Sequence, residues 1–274
     1  MTRPAPWGRG FGATAQGGRA ANEDAYCAQA PVFIVADGMG GHVGGAAAAA
    51  AVVESFVPML TPRPVEPAEV SRAVALAQIA VLQVAREAGD HSGSTLAGVI
   101  AVEHAGQPWW MVVNVGDSRV YCLADGHFEQ VTVDHSRVQQ LVDDGSITEQ
   151  DARTHPERNI ITRAVGDGDP AFDAWLLPVR AGERLIVASD GLNRALTDAQ
   201  IAGVAAAPTI EEAAVGLVDA ALDAGASDNV TVVVVEPTGV RTADDADPAP
   251  WRTWPSVDET EGDTTLGRRL GALV

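Results

Sequence analysis

Four aspartates in this sequence share one context, the end of a strongly apolar segment. Asp37 follows VFIVA, Asp117 follows MVVNVG, Asp190 follows RLIVAS, and Asp228 precedes NVTVVVV. Short apolar runs of this kind predict buried strands, whose ends are rigid and can converge. Carboxylates that converge repel one another unless a cation lies between them, and an all-oxygen ligand set favours Mg²⁺ or Mn²⁺ over zinc. The pattern therefore indicates a divalent-cation site, although a turn or a solvated acid explains any single aspartate.

A basic residue and several glycines near Asp37 would complete a phosphate site. Arg19 lies four residues before Glu23 and five before Asp24, and a guanidinium suits bidentate recognition of phosphate. The permissive backbone of glycine lets chain carbonyls approach an ion; the glycines around Asp37 are Gly38, Gly40, Gly41, Gly44 and Gly45. Two ions roughly 3.5–4 Å apart would lower the pKa of a shared water and direct it at an electrophile. The alternatives to a phosphate site are a surface ion pair for Arg19 and a flexible turn for the glycines.

The composition excludes several kinds of chemistry and partner. All 18 basic residues are arginine, so the chain has no lysine for a Walker motif, a kinase ATP site or a Schiff base. Cys27 and Cys122 are too few for a disulfide framework or a CxxC site, and we interpret them as incidental. The net charge of −19 disfavours nucleic acid and anionic membranes as partners. Since no apolar run approaches the roughly 20 residues of a bilayer span and MTRPAPWGRG lacks a signal-peptide core, we predict a soluble, cytoplasmic protein.

The chain divides into a folded part and a tail. Residues 1–237 alternate between predicted strands and helices and form one domain, whereas residues 238–274 predict an acidic, disordered tail. Helix signals occur at three places. Residues 44–56 are rich in alanine, a second helix opens with Pro67 and closes at Gly89, and a third begins at Thr209, where Glu212 completes a capping box.

The middle of the chain is rich in strands with short connections. Strands are predicted at residues 96–102, 109–115, 119–123 and 128–133. Because these links cannot contain a crossover helix, we expect the four strands to pair antiparallel. Further apolar strands are predicted at 32–36, 185–188 and 230–235, and a helix at 135–144.

Six short motifs occur in order along residues 10–236. They are Arg19…Asn22-Glu23-Asp24, Val35-Ala36-Asp37-Gly38-Met39-Gly40-Gly41-His42, Gly93-Ser94-Thr95, Asn114-Val115-Gly116-Asp117-Ser118-Arg119, Ser189-Asp190-Gly191 and Ser227-Asp228-Asn229. Together they resemble the metal-dependent serine/threonine phosphatases of type 2C (the PPM family) in their bacterial form. The resemblance implies an α+β fold, an αββα sandwich in which helices flank two antiparallel sheets and a metal cleft lies at one end.

The resemblance also implies a role for each of the acidic residues. Two Mn²⁺ or Mg²⁺ ions would be contacted by Asp37 and by the backbone carbonyl of Gly38. Asp37 would bridge the two ions. Asp190 and Asp228 would ligate one ion, and Glu23 or Asp24 would act largely through bound water. Asp117 matches the position of a third, weaker metal, and Arg19 would bind the substrate phosphate.

The identity of the general acid is open. In the eukaryotic branch a histidine proposed for this role follows the Asp-Gly pair, but here that position is Met39. His42 is the nearest replacement in sequence, with a structural imidazole as the alternative. Residues 135–163 resemble the family's variable flap beside the active site. The sequence is consistent with a segment that selects substrates and with a solvated loop that has no such role.

The implied reaction is hydrolysis of phosphoserine or phosphothreonine in proteins by direct attack of metal-bound hydroxide, reversing a bacterial Ser/Thr kinase. Two alternatives remain open: a phosphatase for one regulator, such as a phosphorylated anti-sigma antagonist, and a metal-loaded module that binds phosphoproteins without turnover. Residues 258–265 of the tail place threonines among acids, which suggests recognition by a forkhead-associated-domain protein. A solubilising tail is the other interpretation.

Overall fold

The computed structural model of the chain describes residues 8–40, 44–61, 63, 65–89, 91–168, 171–238 and 252–254. The strands among them are β1 (Arg9–Ala15), β2 (Asp24–Gln29), β3 (Val32–Met39), β4 (Gly93–Ser94), β5 (Leu96–His104), β6 (Gln107–Val115), β7 (Arg119–Ala124), β8 (His127–Gln130), β9 (Asp173–Pro178), β10 (Arg184–Ala188), β11 (Val230–Glu236) and β12 (Arg252–Thr253). The helices are α1 (Gly44–Phe56), α2 (Pro67–Ala88), α3 (Arg137–Asp143), α4 (Glu149–Ala152), α5 (Asp190–Ala195), α6 (Asp198–Ala205) and α7 (Ile210–Asp223), with a 3₁₀ helix at Val57–Met59.

The strands form two antiparallel sheets between helical layers. The larger sheet has the order β12-β9-β6-β5-β3-β2, with β4 paired to β3, and the smaller has the order β1-β11-β10-β7-β8. Helices α1 and α2 pack on the outer face of the larger sheet, and α5, α6 and α7 pack on that of the smaller. A third apolar cluster lies between the sheets. The predicted αββα sandwich is therefore confirmed.

The alternation of side chains along each strand explains why the strands read as continuous apolar runs. In β3, Ile34 and Ala36 face the α1/α2 layer, whereas Phe33 and Val35 face the smaller sheet. Successive side chains of a strand point to opposite faces, and in this sandwich both faces are covered. An apolar run that is buried on both sides can thus end in a polar residue at the rim, which is where Asp37 lies.

The three predicted helices form where local signals place them. Helix α1 spans the alanine-rich segment, α7 is capped by Thr209, and α2 ends at Gly89, whose φ of 65° suits glycine. Helix α2 is long and apolar enough to cross a membrane, judged by length and composition alone. The core helix of a soluble protein meets the same two criteria. Its Val70, Val74 and Val81 are fully buried in the α1/α2 layer, so one face of α2 packs into the fold.

The expectation that four central strands pair in one antiparallel series is wrong at its centre. β5 pairs with β6 and β7 pairs with β8, as predicted, but β6 and β7 belong to different sheets. The short link at Gly116, Asp117 and Ser118 carries the chain from one sheet to the other, and Gly116 has a φ of 104° there. The last strand is also shorter than predicted, His127–Gln130.

Two segments outside the sandwich core bear on the predictions. Helix α3 starts two residues later than predicted because Ser136 caps it, accepting a hydrogen bond from the Gln139 amide at 3.2 Å. In the predicted tail, β12 pairs with β9, and the Trp254 ring lies edge-on to His104 at 5.5 Å between centroids. The rest of the tail, residues 239–251 and 255–274, lies outside the described residues, and its disorder stays a prediction.

Candidate active site

One pocket of about 620 Å³ collects most of the residues that the sequence singles out. It opens at one end of the sandwich, where β3, β10 and the turn before β11 meet. The predicted site residues that line it are Arg19, Glu23, Asp37, Gly38, Asp190 and Asp228. Asp24 and Asp117 lie behind this lining, in electrostatic contact with it. Three aspartates that are far apart in sequence therefore share one cavity.

Asp37 is held by a backbone clamp. Its amide donates to Thr95 Oγ1 at 3.0 Å, and its carbonyl accepts from the Thr95 amide at 2.9 Å. The same Thr95 hydroxyl shares a hydrogen bond with Ser118 Oγ at 2.7 Å, which connects β3 to the link containing Asp117. Burial first, and then the negative charge of Asp190, raises the pKa of the Asp37 carboxyl well above its usual range.

Gly38 lies where the chain leaves no space for a side chain. A Cβ at this position would stand 2.2 Å from the Gly45 carbonyl oxygen and 2.6 Å from the Glu23 carbonyl oxygen. A Cβ at Gly45, at the start of α1, would meet the Glu23 carboxylate at 2.3 Å. The glycines around Asp37 therefore serve close backbone packing that brings Glu23, β3 and α1 together.

Asp190 is the first residue of α5, directly after β10, and it is 4% exposed. Burial and then repulsion from Asp117 raise the pKa of its carboxyl well above the usual range. Gly191 must remain small because a Cβ there would lie 2.0 Å from the Asn229 carbonyl oxygen. The strand-to-helix turn is thereby pressed against the turn that carries Asp228.

Asn229 fastens the Arg19 loop to the start of β11. Its side-chain amide donates to the carbonyls of Gln16 at 2.8 Å and Ala21 at 2.9 Å, and its Oδ1 accepts from the Glu23 amide at 2.9 Å. Arg19 then reaches Asp228 with a 2.7 Å ion pair while 59% of its side chain stays exposed. A guanidinium so placed at the pocket mouth can contact a phosphate.

Asp24, which is half-buried, and Asp117, which is buried, lie beside the pocket as supports. Asp24 Oδ2 accepts hydrogen bonds from Ser189 Oγ at 2.9 Å and Thr231 Oγ1 at 2.6 Å, and burial raises its pKa to about 6. Asp117 is 5% exposed, and burial followed by the charge of Asp134 raises its pKa. Neither carboxylate lines the cavity itself.

Arg194 is the pocket residue that sequence reasoning missed. It lies four residues after Asp190 on α5, and its guanidinium pairs with Asp190, with Asp228 at 3.3 Å and with Asp117 at 3.6 Å. The spacing of four places both residues on one face of a helix, a signal that the sequence contains. The convergence with Asp117 and Asp228 is tertiary and has no local signal.

The flap borders the pocket through Asn159 and Ile161, and Met39 lies in the lining as well. His135 connects the flap to the sheets: its Nδ1 accepts from the Gly116 amide at 3.0 Å, so the proton of the neutral ring lies on Nε2, 3.1 Å from Asp173 Oδ2. The suggested general acid His42 lies outside the described residues, and its role stays a prediction.

The residues present suit a hard divalent cation. Oδ1 of Asp24, Asp117 and Asp190 is buried with no hydrogen-bond partner among the described residues, a costly arrangement that a cation would relieve. In the described part of the chain, however, no three His, Cys, Asp or Glu side chains already form a metal-holding group. Arg19 and Arg194 lie among the carboxylates instead. The donor set fits Mn²⁺ or Mg²⁺, and Arg19, whose side chain is 59% exposed, would move aside as ions enter.

Comparisons with known proteins show which family this chain is similar to. Residues 11–223 match the family model described as protein phosphatase 2C. The chain is 36% identical over 222 residues to the serine/threonine protein phosphatase PstP of Mycobacterium tuberculosis, and this match covers 80% of the chain. It spans 42% of the length of that relative.

Two further similarities cover three quarters or more of each protein compared. The serine/threonine phosphatase stp of Listeria innocua is 32% identical over 221 residues, with 75% of this chain and 84% of the relative covered. The crystal structure of the catalytic domain of PstP in complex with two manganese ions has a TM-score of 0.77 at 33% identity, covering 84% of this chain and 98% of that one.

Proposed function

The chain belongs to the protein phosphatase 2C family, and we propose that it hydrolyses phosphoserine and phosphothreonine in proteins with the help of two Mn²⁺ or Mg²⁺ ions. The observation that carries the proposal is the meeting of Asp37, Asp190 and Asp228 in one pocket beside Arg19. The two manganese ions of the similar PstP catalytic domain support the choice of metal.

Asp37, Asp190, Asp228 and the Gly38 carbonyl would hold the ions, with Glu23 at the rim. When bound, such ions supply a water acidic enough to attack phosphorus near neutral pH and offset the charge of the phosphate. The clamp from Thr95 fixes the backbone of Asp37, which limits the reorganisation needed when substrate enters.

Arg19 would position the phosphate. Its side chain is 59% exposed and forms an ion pair with Asp228, so its guanidinium can exchange that carboxylate for a phosphate oxygen. The open pocket admits a phosphorylated side chain from a protein segment, and Asn159 and Ile161 of the flap border its path.

The direct test is phosphate release from a phosphothreonine peptide. We expect activity with Mn²⁺, loss of activity in EDTA, and recovery when Mn²⁺ is added in excess. The Asp190→Asn variant should lose Mn²⁺-dependent release by about 10²–10³-fold, whereas a module that only binds phosphoproteins would keep its partner. Release that survives chelation would contradict the proposal.

The partners and location are finer proposals. A Ser/Thr kinase that phosphorylates the same proteins would be the counterpart of this activity, and a cytoplasmic location agrees with the composition. The threonines at 260, 264 and 265, suggested as a motif for a forkhead-associated-domain protein, lie outside the described residues. Mass spectrometry after co-expression with the cognate kinase tests that suggestion, and an absence of phosphate there contradicts it.

A further inference from the structure

Arg194 is bound by three carboxylates at the inner side of the pocket. Its Nη2 pairs with Asp190 Oδ2 and lies 3.6 Å from Asp117 Oδ2, while Nη1 lies 3.3 Å from Asp228 Oδ2. The side chain is 32% exposed, compared with 59% for Arg19. Arg194 is therefore fixed within the acid cluster, whereas Arg19 stands at its mouth.

The position of Arg194 is on the Asp117 side of the cluster. Asp117 lies behind the pocket lining, and Arg194 is the arginine paired with it among the described residues. Among the described residues, Arg194 forms no salt bridge with Asp37, the carboxylate proposed to bridge the two metal ions. The space beside Asp37 remains open to cations, and the space between Asp117 and Asp190 holds a guanidinium.

A positive charge beside these two aspartates stabilises their ionised forms. Asp117 and Asp190 are 5% and 4% exposed, and each has a buried Oδ1 with no hydrogen-bond partner among the described residues. Buried like charges repel each other, so such a pair either keeps a proton or is compensated by a cation. A guanidinium and a hydrated divalent ion cannot occupy the same few ångströms beside Asp117, so one excludes the other.

We propose that Arg194 is a tethered cation that replaces a third divalent ion beside Asp117, so that this chain binds two ions. The inference deepens the proposed function, on which it rests for the presence of the first two ions. Its consequence is that Asp117 acts here through Arg194, as a support for Asp190, and does not serve as a metal ligand.

The test is the number of Mn²⁺ ions bound per chain, measured without substrate by equilibrium dialysis and elemental analysis up to millimolar Mn²⁺. We expect two ions for the wild-type protein. Arg194→Asp should bind a third ion, which saturates at higher Mn²⁺ than the first two, and Arg194→Gln should do so more weakly. Arg153→Gln is the matched control, because Arg153 is 50% exposed and paired to Asp198 at 3.5 Å outside the pocket; its count should stay at two.

Three ions on the wild-type protein overturn the inference, and so does a count of two for Arg194 variants that are folded by circular dichroism. The wild-type count is decisive even if a variant does not fold. The two proposals fail separately: a wild-type protein that binds two ions but releases no phosphate contradicts the proposed function alone, and an active protein that binds three contradicts this inference alone. Fewer than two ions contradicts both.

Discussion

The space around Gly38 is a tight constraint on the site. A methyl group there would lie 2.2 Å from the Gly45 carbonyl oxygen and 2.6 Å from that of Glu23, both of them backbone atoms. Gly38→Ala must therefore push β3 away from α1, and we expect a loss of about 1–3 kcal/mol in the free energy of unfolding, measured in urea. Because Asp37 moves with β3, Mn²⁺-dependent phosphate release should fall as well.

Gly203 provides the control for this substitution. It lies in the exposed face of α6, and a Cβ there would have nothing within 4 Å. Gly203→Ala should raise the free energy of unfolding by about 0.4–1 kcal/mol, since alanine loses less backbone entropy in a helix. If Gly38→Ala behaved like Gly203→Ala, the close packing around Asp37 would be refuted.

Some site residues could be found from the sequence and others could not. Asp37, Asp190 and Asp228 are recognisable because each ends or begins an apolar strand, which is a local pattern. The contacts of Arg194 depend on where the ends of distant strands meet. Its spacing from Asp190 alone therefore does not reveal Asp117 as a partner. The role of Asn229 in holding the Arg19 loop is equally non-local.

Among the elements, the connection between the flap and the sheets depends on His135. Its Nδ1 accepts from the buried Gly116 amide, next to Asp117. His135→Ala leaves that amide unsatisfied, so we expect a loss of about 1–3 kcal/mol in unfolding free energy and a higher KM for a phosphothreonine peptide. His135→Asn offers an oxygen near the place of Nδ1 and should recover at least half of both effects.

The exposed His127 of β8 is the control for this pair of variants. His127→Ala should leave the unfolding free energy within about 0.5 kcal/mol of the wild-type value. Equal losses for His135→Ala and His135→Asn, measured by urea denaturation, would show that the hydrogen bond to Gly116 is not what His135 contributes.

Helix boundaries were predictable because their signals are local, whereas sheet membership was not. The caps at Thr209 and Gly89 lie within a few residues of the helices that they end. By contrast, β6 and β7 are both apolar on each face, so their pattern fits one sheet or two. The choice depends on the long-range pairing of β7 with β10 and of β6 with β9, which no local pattern contains.

For the molecule as a whole, the acid cluster predicts how stability depends on pH without metal. Burial raises the pKa of Asp24 from 3.8 to about 6, and those of Asp37 and Asp190 shift in the same direction. A raised pKa means that the folded state holds the proton more tightly, so this stabilisation is complete below about pH 3.8 and is lost as the pH rises through 6.

In EDTA, the free energy of unfolding should therefore fall between pH 5 and pH 7.5, with Asp24 contributing about 1.4 kcal/mol in this range. The carboxyls with lowered pKa, such as Glu69 at about 2, act in the opposite sense and only at lower pH. Urea denaturation of the wild-type protein and of Asp24→Asn at both pH values isolates the contribution of Asp24 from that of the histidines. Identical pH dependence in the two proteins would contradict it.

The central claim, that these aspartates gather divalent ions in one pocket, is tested most directly by anomalous scattering from crystals grown with Mn²⁺. The account predicts two manganese peaks in the cavity bordered by Asp37, Asp190 and Asp228, and none between Asp117 and Arg194. Manganese bound elsewhere on the chain, with that cavity empty at saturating Mn²⁺, would contradict it.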